Sequence, residues 1–522
     1  MSEPVLLVLG LAVTVALAIV AKRLALPYPI VFVIAGALLA AIPELPTVRI
    51  APDWIFLLIV PPLLFAAGWY TDWVLFRANL RPILQLAIGL VIASTVAVAA
   101  FARSVFPAIG WAEAFVLGAI VSPPDAVAAI AIFERFRVPR RVIAIVDGEG
   151  LVNDATALVI YGYALAAVLS GGFSLAAAAG SFVVVAVGGI VVGIAVAWLV
   201  EELSRTLARH SLSDSLIDNL TLIGAPYAAY LTGQALHVSG VLAVVIAGIT
   251  VSRRSSQVYG PEVRLIASNV WSLWIFLLNA YVFLTIGLQL RDFVEHRNEV
   301  LSVLPAALEI SLLLIVVRIV WVYVTAKVAR LVPAVRQREP LPPTAALFVI
   351  AWTGMRGIIS LAAAFALPYT IPHRQAIVFI TFVVIFVTLV GQGLTLIPIL
   401  KLLRLPEEGD DATHEIRVRV KALRAGLKRV EQLEWEDHDD EEREVLRRLR
   451  DEYEHRIEHL EHFGMDGAMP ESHESTFDHR AQDQAIHAER AEIMRLRDRG
   501  EIPDEIFRKV QYDLDLAETR NY

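Results

Sequence analysis

Long apolar runs dominate the chain up to about Leu405. About thirteen of them approach the roughly 20 residues that a helix needs to cross the hydrocarbon of a bilayer. They occupy 4–21, 28–42, 51–70, 83–106, 111–133, 141–169, 173–200, 215–236, 238–251, 266–290, 300–326, 341–367 and 374–403. Helices satisfy their backbone N–H and C=O groups within the segment, so this pattern predicts an all-α polytopic membrane protein. Beyond Leu405 the runs stop and acids alternate densely with bases. The chain therefore divides into a transmembrane domain over 1–405 and a charged, helical cytoplasmic domain over 406–522. In the second domain Leu446, Leu449, Tyr453, Ile457 and Leu460 recur at heptad-like spacing, and GMDGAMPES from Gly464 interrupts the helix.

Loop charges orient the runs. Alternate loops carry basic pairs or clusters, from Lys22 and Arg23 through Arg135, Arg137, Arg140 and Arg141 to Lys401 and Arg404. The intervening loops hold little beyond Arg49, Arg103, Arg291, Arg297 and Arg374. Basic residues stay on the cytoplasmic side, so the expectation is a multi-pass plasma-membrane protein with its N-terminus outside and its tail in the cytoplasm. The first run has no basic residue ahead of it and Lys22 and Arg23 behind it, which argues against a cleaved signal peptide.

Composition agrees and narrows the chemistry. Of 522 residues 57% are hydrophobic and 19% charged, with a mean hydropathy of +0.62, values that exclude a soluble protein of this length. The chain has no cysteine, which excludes disulfides, thiolate metal sites and cysteine nucleophiles. Nucleotide, zinc and nucleic-acid motifs are absent from the sequence, so no coupling to ATP, no resident cofactor and no nucleic-acid partner is expected. Eight of the 12 histidines lie in the tail among acids: His414, His438, His455, His459, His462, His473, His479 and His487. That clustering motivates a pH-sensing or dimer-stabilising tail, against the plainer reading of a solvated helical hairpin.

Polar residues inside the runs are the informative exceptions. In AIVSPPDAVAAIAI of the fifth run, Pro123 and Pro124 lack amide hydrogens and clash with the preceding turn, so the helix should break just before Asp125. The twelfth run carries a second interruption, WTGMRGIISLAAAFALP, with Gly354, Arg356 and Gly357 in an apolar field. Runs five and twelve cross in opposite directions, as inverted repeats require, and such broken helices mark ion sites in transporters. Between them lies VDGEGLVNDATALVIY, starting at Val146, whose ionisable residues each cost at least about 2.5–3.5 kcal/mol at mid-bilayer and so call for partners.

On a helix Asp147 and Asp154 share a face, whereas Glu149 lies about 140° around from Asp154. Arg356, a permanent buried cation, is the expected partner of Glu149. Asp125 and Asp154 then remain for something that comes and goes. A carboxylate in a membrane cavity holds either a proton or a small monovalent cation, hardly both, and competition combined with alternating access is cation/proton exchange. Asn153 braces the cavity by hydrogen bonds but carries no proton, which favours one proton per monovalent cation and hence electroneutral exchange. Asp147, near the cytoplasmic end of its run, reads as a funnel position, and Asp218 with Asn219 and Glu309 with Arg318 as polar glue between helices. Asn279 reads as a brace or as a residue just behind the site.

Four segments, PPDAVAAIAI, GEGLVNDA, FLLNAYVFLTIGLQL and MRGIISLA, taken in order, resemble those of bacterial sodium/proton exchangers of the monovalent cation:proton antiporter 1 family. The resemblance implies a homodimer of thirteen-helix protomers, each with a dimerisation part and a moving core built on inverted repeats and two crossed, discontinuous helices. It implies Asp154 as the carrier of Na+ and H+, Asp125 as its neighbour, Asn153 as the structural amide and Glu149 with Arg356 as a stabilising ion pair. The chain departs from the family where Pro124, Gly150 and Ala66 stand in place of commoner threonine, serine and acidic residues, so backbone carbonyls or water must supply the missing oxygens. Transport of Li+ or K+ is the neighbouring alternative. An intramembrane aspartic protease is the remote one, since paired aspartates sharing a proton serve that chemistry too, but no glycine-x-glycine-aspartate segment is present.

Overall fold

A computed structural model of the chain describes residues 3–464, apart from 25, 43–53, 137, 172–174, 213, 292–296, 339–341, 404, 406–410 and 435–439, together with Arg495. The chain divides into two compact units, Met1–Pro406 and Glu407–Tyr522. Among the described residues both are helical and hold no strand.

In the first unit the order is α1 (Glu3–Leu24), α2 (Tyr28–Ala40), α3 (Ile55–Tyr70), α4 (Trp73–Ala78), α5 (Leu80–Val105), α6 (Trp111–Val121), α7 (Val127–Phe133), α8 (Arg140–Ser170) and α9 (Leu175–Arg209). There follow α10 (Ser215–Ala235), α11 (Gly240–Val258), α12 (Pro261–Leu288), α13 (Arg297–Val328), α14 (Pro333–Arg338), α15 (Thr344–Trp352), α16 (Ile358–Phe365) and α17 (Arg374–Leu403). Each of the anticipated apolar runs holds helix. Among the described residues six helices are long and apolar enough to cross a membrane on length and composition, with shorter apolar helices beside them.

Helix packing here depends on small residues, as expected where lipid removes the hydrophobic drive between helices. Helices α2 and α12 approach so closely that a Cβ on Gly36 would meet the Leu284 carbonyl and one on Gly287 the Val33 carbonyl. Gly68 of α3 and Gly248 of α11 touch the opposing backbone in the same way. Side chains such as Val183, Val187, Val191 and Ile194 on α9 and Leu308, Leu312, Val316 and Val320 on α13 stay exposed, the face such a helix turns to lipid. Polar glue is seen at Asn219, whose Nδ2 donates to the Ser215 carbonyl at 2.7 Å and the Val263 carbonyl at 3.3 Å, tying α10 to the start of α12.

The second unit pairs α18 (Asp411–Glu434) with α19 (Asp440–Gly464). Val420, Val430, Leu446 and Ile457 are buried along the seam, whereas Leu449, expected in it, is exposed. Arg424 pairs with Glu461 across it at 2.5 Å. The rings of His455 and His459, one turn apart, lie 6.5 Å apart. His438, His473, His479 and His487 lie outside the described residues.

Candidate functional site

Both predicted helix breaks are present. Helix α6 stops at Val121 and α7 starts at Val127, so Pro123, Pro124 and Asp125 carry no helix; α15 stops at Trp352 and α16 starts at Ile358, leaving 353–357 unwound. The two unwound stretches cross, and the backbone groups that each break frees are met at the crossing. The Asp125 amide donates to the Met355 carbonyl at 2.6 Å, Arg356 Nε donates to the Val121 carbonyl at 3.1 Å, and the Arg356 amide donates to Thr388 Oγ1 of α17 at 3.1 Å. Non-helical backbone at membrane depth is tolerated only when buried in protein in this way or facing a watery cavity.

A cavity of about 520 Å³ opens beside the crossing. Asp125 and Asp154 both line it and lie within electrostatic reach of each other. Asp125 Oδ1 accepts from the Val127 amide at 2.8 Å, at the start of α7. Its Oδ2 lies so close to Gly357 that a Cβ there would overlap it, so residue 357 must be glycine for the crossing to close. Asn153, fully buried, donates from Nδ2 to the Pro124 carbonyl at 2.6 Å. That bond ties α8 to the break at Pro124. Asp147 lines the same cavity about 10 Å further along α8 from Asp154, near Thr71 Oγ1 at 3.4 Å. Asn279 lines it as well, and so do Pro124, Gly150 and Ala66, which bring no side-chain oxygen to it.

The expected pairing of Glu149 with Arg356 is not what the fold builds. Glu149 is held instead by Arg318 of α13, with Nη1 to Oε1 at 2.5 Å and Nη2 to Oε2 at 2.7 Å, both side chains buried. Arg318 thus serves as glue between helices, as read from the sequence, whereas Glu309 is exposed. The physical reason is local. Arg356 sits within its own break, where unwound carbonyls of Gly354 and Val121 accept from its guanidinium, so it needs no carboxylate. Arg318 also donates from Nε and Nη2 to the Ile350 carbonyl at 3.2 and 3.0 Å, capping the C-terminal end of the half-helix α15 with a positive charge. Gly354 lies between the two guanidinium groups, and an added Cβ would stand 2.6 Å from Arg318 Cδ and 3.0 Å from Arg356 Nη1. Glu149 remains within electrostatic range of Arg356.

That Arg318 needs an acceptor was legible, since a buried arginine in an apolar domain demands one; which carboxylate supplies it was not. Thr388 and Ser360 gave no signal of their own, since hydroxyls on membrane helices ordinarily bond back along their own helix.

Chemically the site offers two carboxylates, Asp125 and Asp154, beside the crossing, with Asp147 and Glu134 elsewhere on the same cavity wall and the neighbouring arginines engaged by Glu149 or by carbonyls. Such a site takes a proton or a small cation in exchange for another.

A family model described as sodium/hydrogen exchanger, transmembrane, matches residues 9–402. The chain is 32% identical over 540 residues to an uncharacterized Na(+)/H(+) exchanger of Mycobacterium tuberculosis, spanning 98% of this chain and 96% of that one. It is 30% identical to the sodium, potassium, lithium and rubidium/H(+) antiporter of Bacillus subtilis, over 96% of this chain and 75% of that one. Its fold matches the sodium proton antiporter MjNhaP1 from Methanocaldococcus jannaschii with a TM-score of 0.56 at 18% identity, covering 77% of this chain and 97% of that one.

Proposed function

The chain belongs to the transmembrane sodium/hydrogen exchanger family, and from that premise we propose that it exchanges one proton for one Na+ by competition at Asp154, without net charge movement. It is a transporter rather than an enzyme. The observation that carries the reading is the pair Asp125 and Asp154 in a single cavity, with the buried arginines already engaged. Asp154 is the carrier and Asp125 shares the cation. Asn153 holds the break open at Pro124, and Glu149 with Arg318 fixes α8 against α13. Asp147 draws cations toward the site from the cytoplasmic end of the cavity. Access alternates as the crossed half-helices move against the remaining helices.

The chain acts in the plasma membrane with its N-terminus outside and its tail in the cytoplasm, as the basic loops favour, and works as a homodimer surrounded by lipid. A wider cation range is the second reading. It is favoured by the name of the Bacillus subtilis relative, which includes potassium, lithium and rubidium, and by the absence of side-chain oxygens at Pro124 and Gly150.

Purified protein in liposomes, with an internal pH probe and imposed Na+, Li+ or K+ gradients, tests this directly. Proton movement that follows the cation gradient, ignores an imposed voltage and vanishes in Asp154→Asn supports the exchange. Undiminished flux in Asp154→Asn overturns it.

A further inference from the structure

Many hydroxyls on the membrane helices bond back to the carbonyl four residues earlier. Thr95 reaches Val91 at 2.8 Å, Ser311 reaches Ala307 at 2.7 Å, Thr381 reaches Ile377 at 2.8 Å and Thr388 reaches Val384 at 2.7 Å. Ser360 does not. It is 2% exposed, and its Oγ has no hydrogen-bond partner among the described residues. The cause is positional: the residue four before it is Arg356, inside the unwound stretch 353–357, so no helical carbonyl is presented to it. A buried hydroxyl left without a partner costs its desolvation unless something else uses it.

Two further facts say what that something is. Ser360 lines the cavity that holds Asp125 and Asp154. It also lies in the first turn of α16, three residues after Gly357, and Gly357 is the residue pressed against Asp125 Oδ2. Ser94 and Ser204 share the missing bond, but neither lines the cavity. The neutral oxygen-bearing side chains that do line it are Tyr70, Ser272, Asn279 and Ser360, and of these Ser360 alone lies on a half-helix of the crossing. A hard monovalent cation requires several oxygen ligands, and Pro124, Gly150 and Ala66 provide none from their side chains.

We propose that Ser360 Oγ is a direct ligand of the transported cation, completing with Asp125 and Asp154 a coordination shell that the fifth and sixth apolar runs leave short of oxygens. The inference rests on the cation-exchange reading above. A proton needs no such shell, so Ser360 sets how well Na+ or Li+ competes with H+ and leaves protonation of Asp154 untouched.

Exchange in proteoliposomes tests it with Ser360→Ala, Ser360→Thr and Ser360→Cys beside the wild type. Ser360→Ala should raise the half-saturating Na+ about tenfold with little change in maximal rate. Its acid limb at fixed Na+ should move alkaline by about one pH unit, because a weaker cation needs fewer competing protons to reach the same occupancy. Ser360→Thr, which keeps the hydroxyl, should stay near wild type. Ser360→Cys should weaken Na+ and Li+ while sparing the softer Tl+. Should Ser360→Ala not fold, the cysteine variant decides alone. A half-saturating Na+ within about twofold of wild type in either variant overturns the ligand role. A wild type that moves no protons in response to any cation overturns the exchange reading itself, and the two failures are thereby told apart.

Discussion

Glu149 of α8 and Arg318 of α13, 169 positions apart in the chain, form a two-pronged buried ion pair, with Nη1 to Oε1 at 2.5 Å and Nη2 to Oε2 at 2.7 Å. Breaking one side of a buried pair costs about 3–5 kcal/mol, because the other charge is left unpaired, whereas replacing both with apolar groups is often neutral. Glu149→Gln and Arg318→Met should therefore each lower thermal stability in detergent strongly, and the double variant should recover much of the loss. Additive losses in the double variant would show that the two side chains do not act as a pair.

Gly357 is the tightest point of the site. Gly357→Ala should cut cation-driven proton flux by at least about 100-fold, since a methyl group there displaces the Asp125 carboxylate, and misplacement of a binding group by about 1 Å is costly on that scale. Gly162 has nothing within 4 Å of its added Cβ, so Gly162→Ala should transport like wild type. Equal flux in the two variants would remove the steric role of residue 357.

Asn153 acts as a donor, through Nδ2 to the Pro124 carbonyl at 2.6 Å. Asn153→Asp, which is nearly isosteric, loses that donor when ionised and places a carboxylate against a carbonyl. It should destabilise by roughly 1–3 kcal/mol and slow exchange, much as Asn153→Ala does. Thermal inactivation and flux on the same preparations check both, and a wild-type profile for Asn153→Asp would overturn the bracing role.

Competition for one carboxylate fixes a pH dependence and its sign. On the acid side, half-saturating Na+ should rise about tenfold per unit fall in pH, since each proton bound excludes one cation. On the alkaline side it should become independent of pH. A set of Na+ titrations from acid to alkaline pH distinguishes this from an acid limb set elsewhere, in which maximal rate falls while half-saturation holds constant.

Much of this molecule is legible in sequence because membrane insertion leaves few alternatives. The apolar runs must be helices, and prolines 123 and 124 must break one. The break before Asp125 and the helix face of Asp154 were readable from spacing, whereas their meeting in one cavity was implied only by the family resemblance. The partner of Glu149 was not readable, because pairing across 169 residues depends on which helix packs behind α8, and no local pattern encodes that. Ser360 was hidden for a different reason. Its isolation results from the missing turn before it, and the bland expectation of a back-bonded serine holds at many other hydroxyls of the same domain.

Arg356 at the crossing and Arg318 of α13 behind it carry more positive charge than Glu149 can cancel, and this bears on leak. Asp125 and Asp154 line the cavity beside the crossing, and Glu149, Arg318 and Arg356 are buried around it; when all five are ionised, three carboxylates against two guanidinium groups leave one negative charge. One proton or one Na+ brings the sum to zero. On the exchange reading proposed above, the unloaded core alone carries a net charge through hydrocarbon, at a cost of at least about 2.5–3.5 kcal/mol, which slows its return without cargo and keeps the two fluxes coupled. On that reading Arg356, whose donors are met by carbonyls, is the counterweight that makes both loaded forms neutral. Its replacement by a neutral residue would leave each loaded form with a charge of its own.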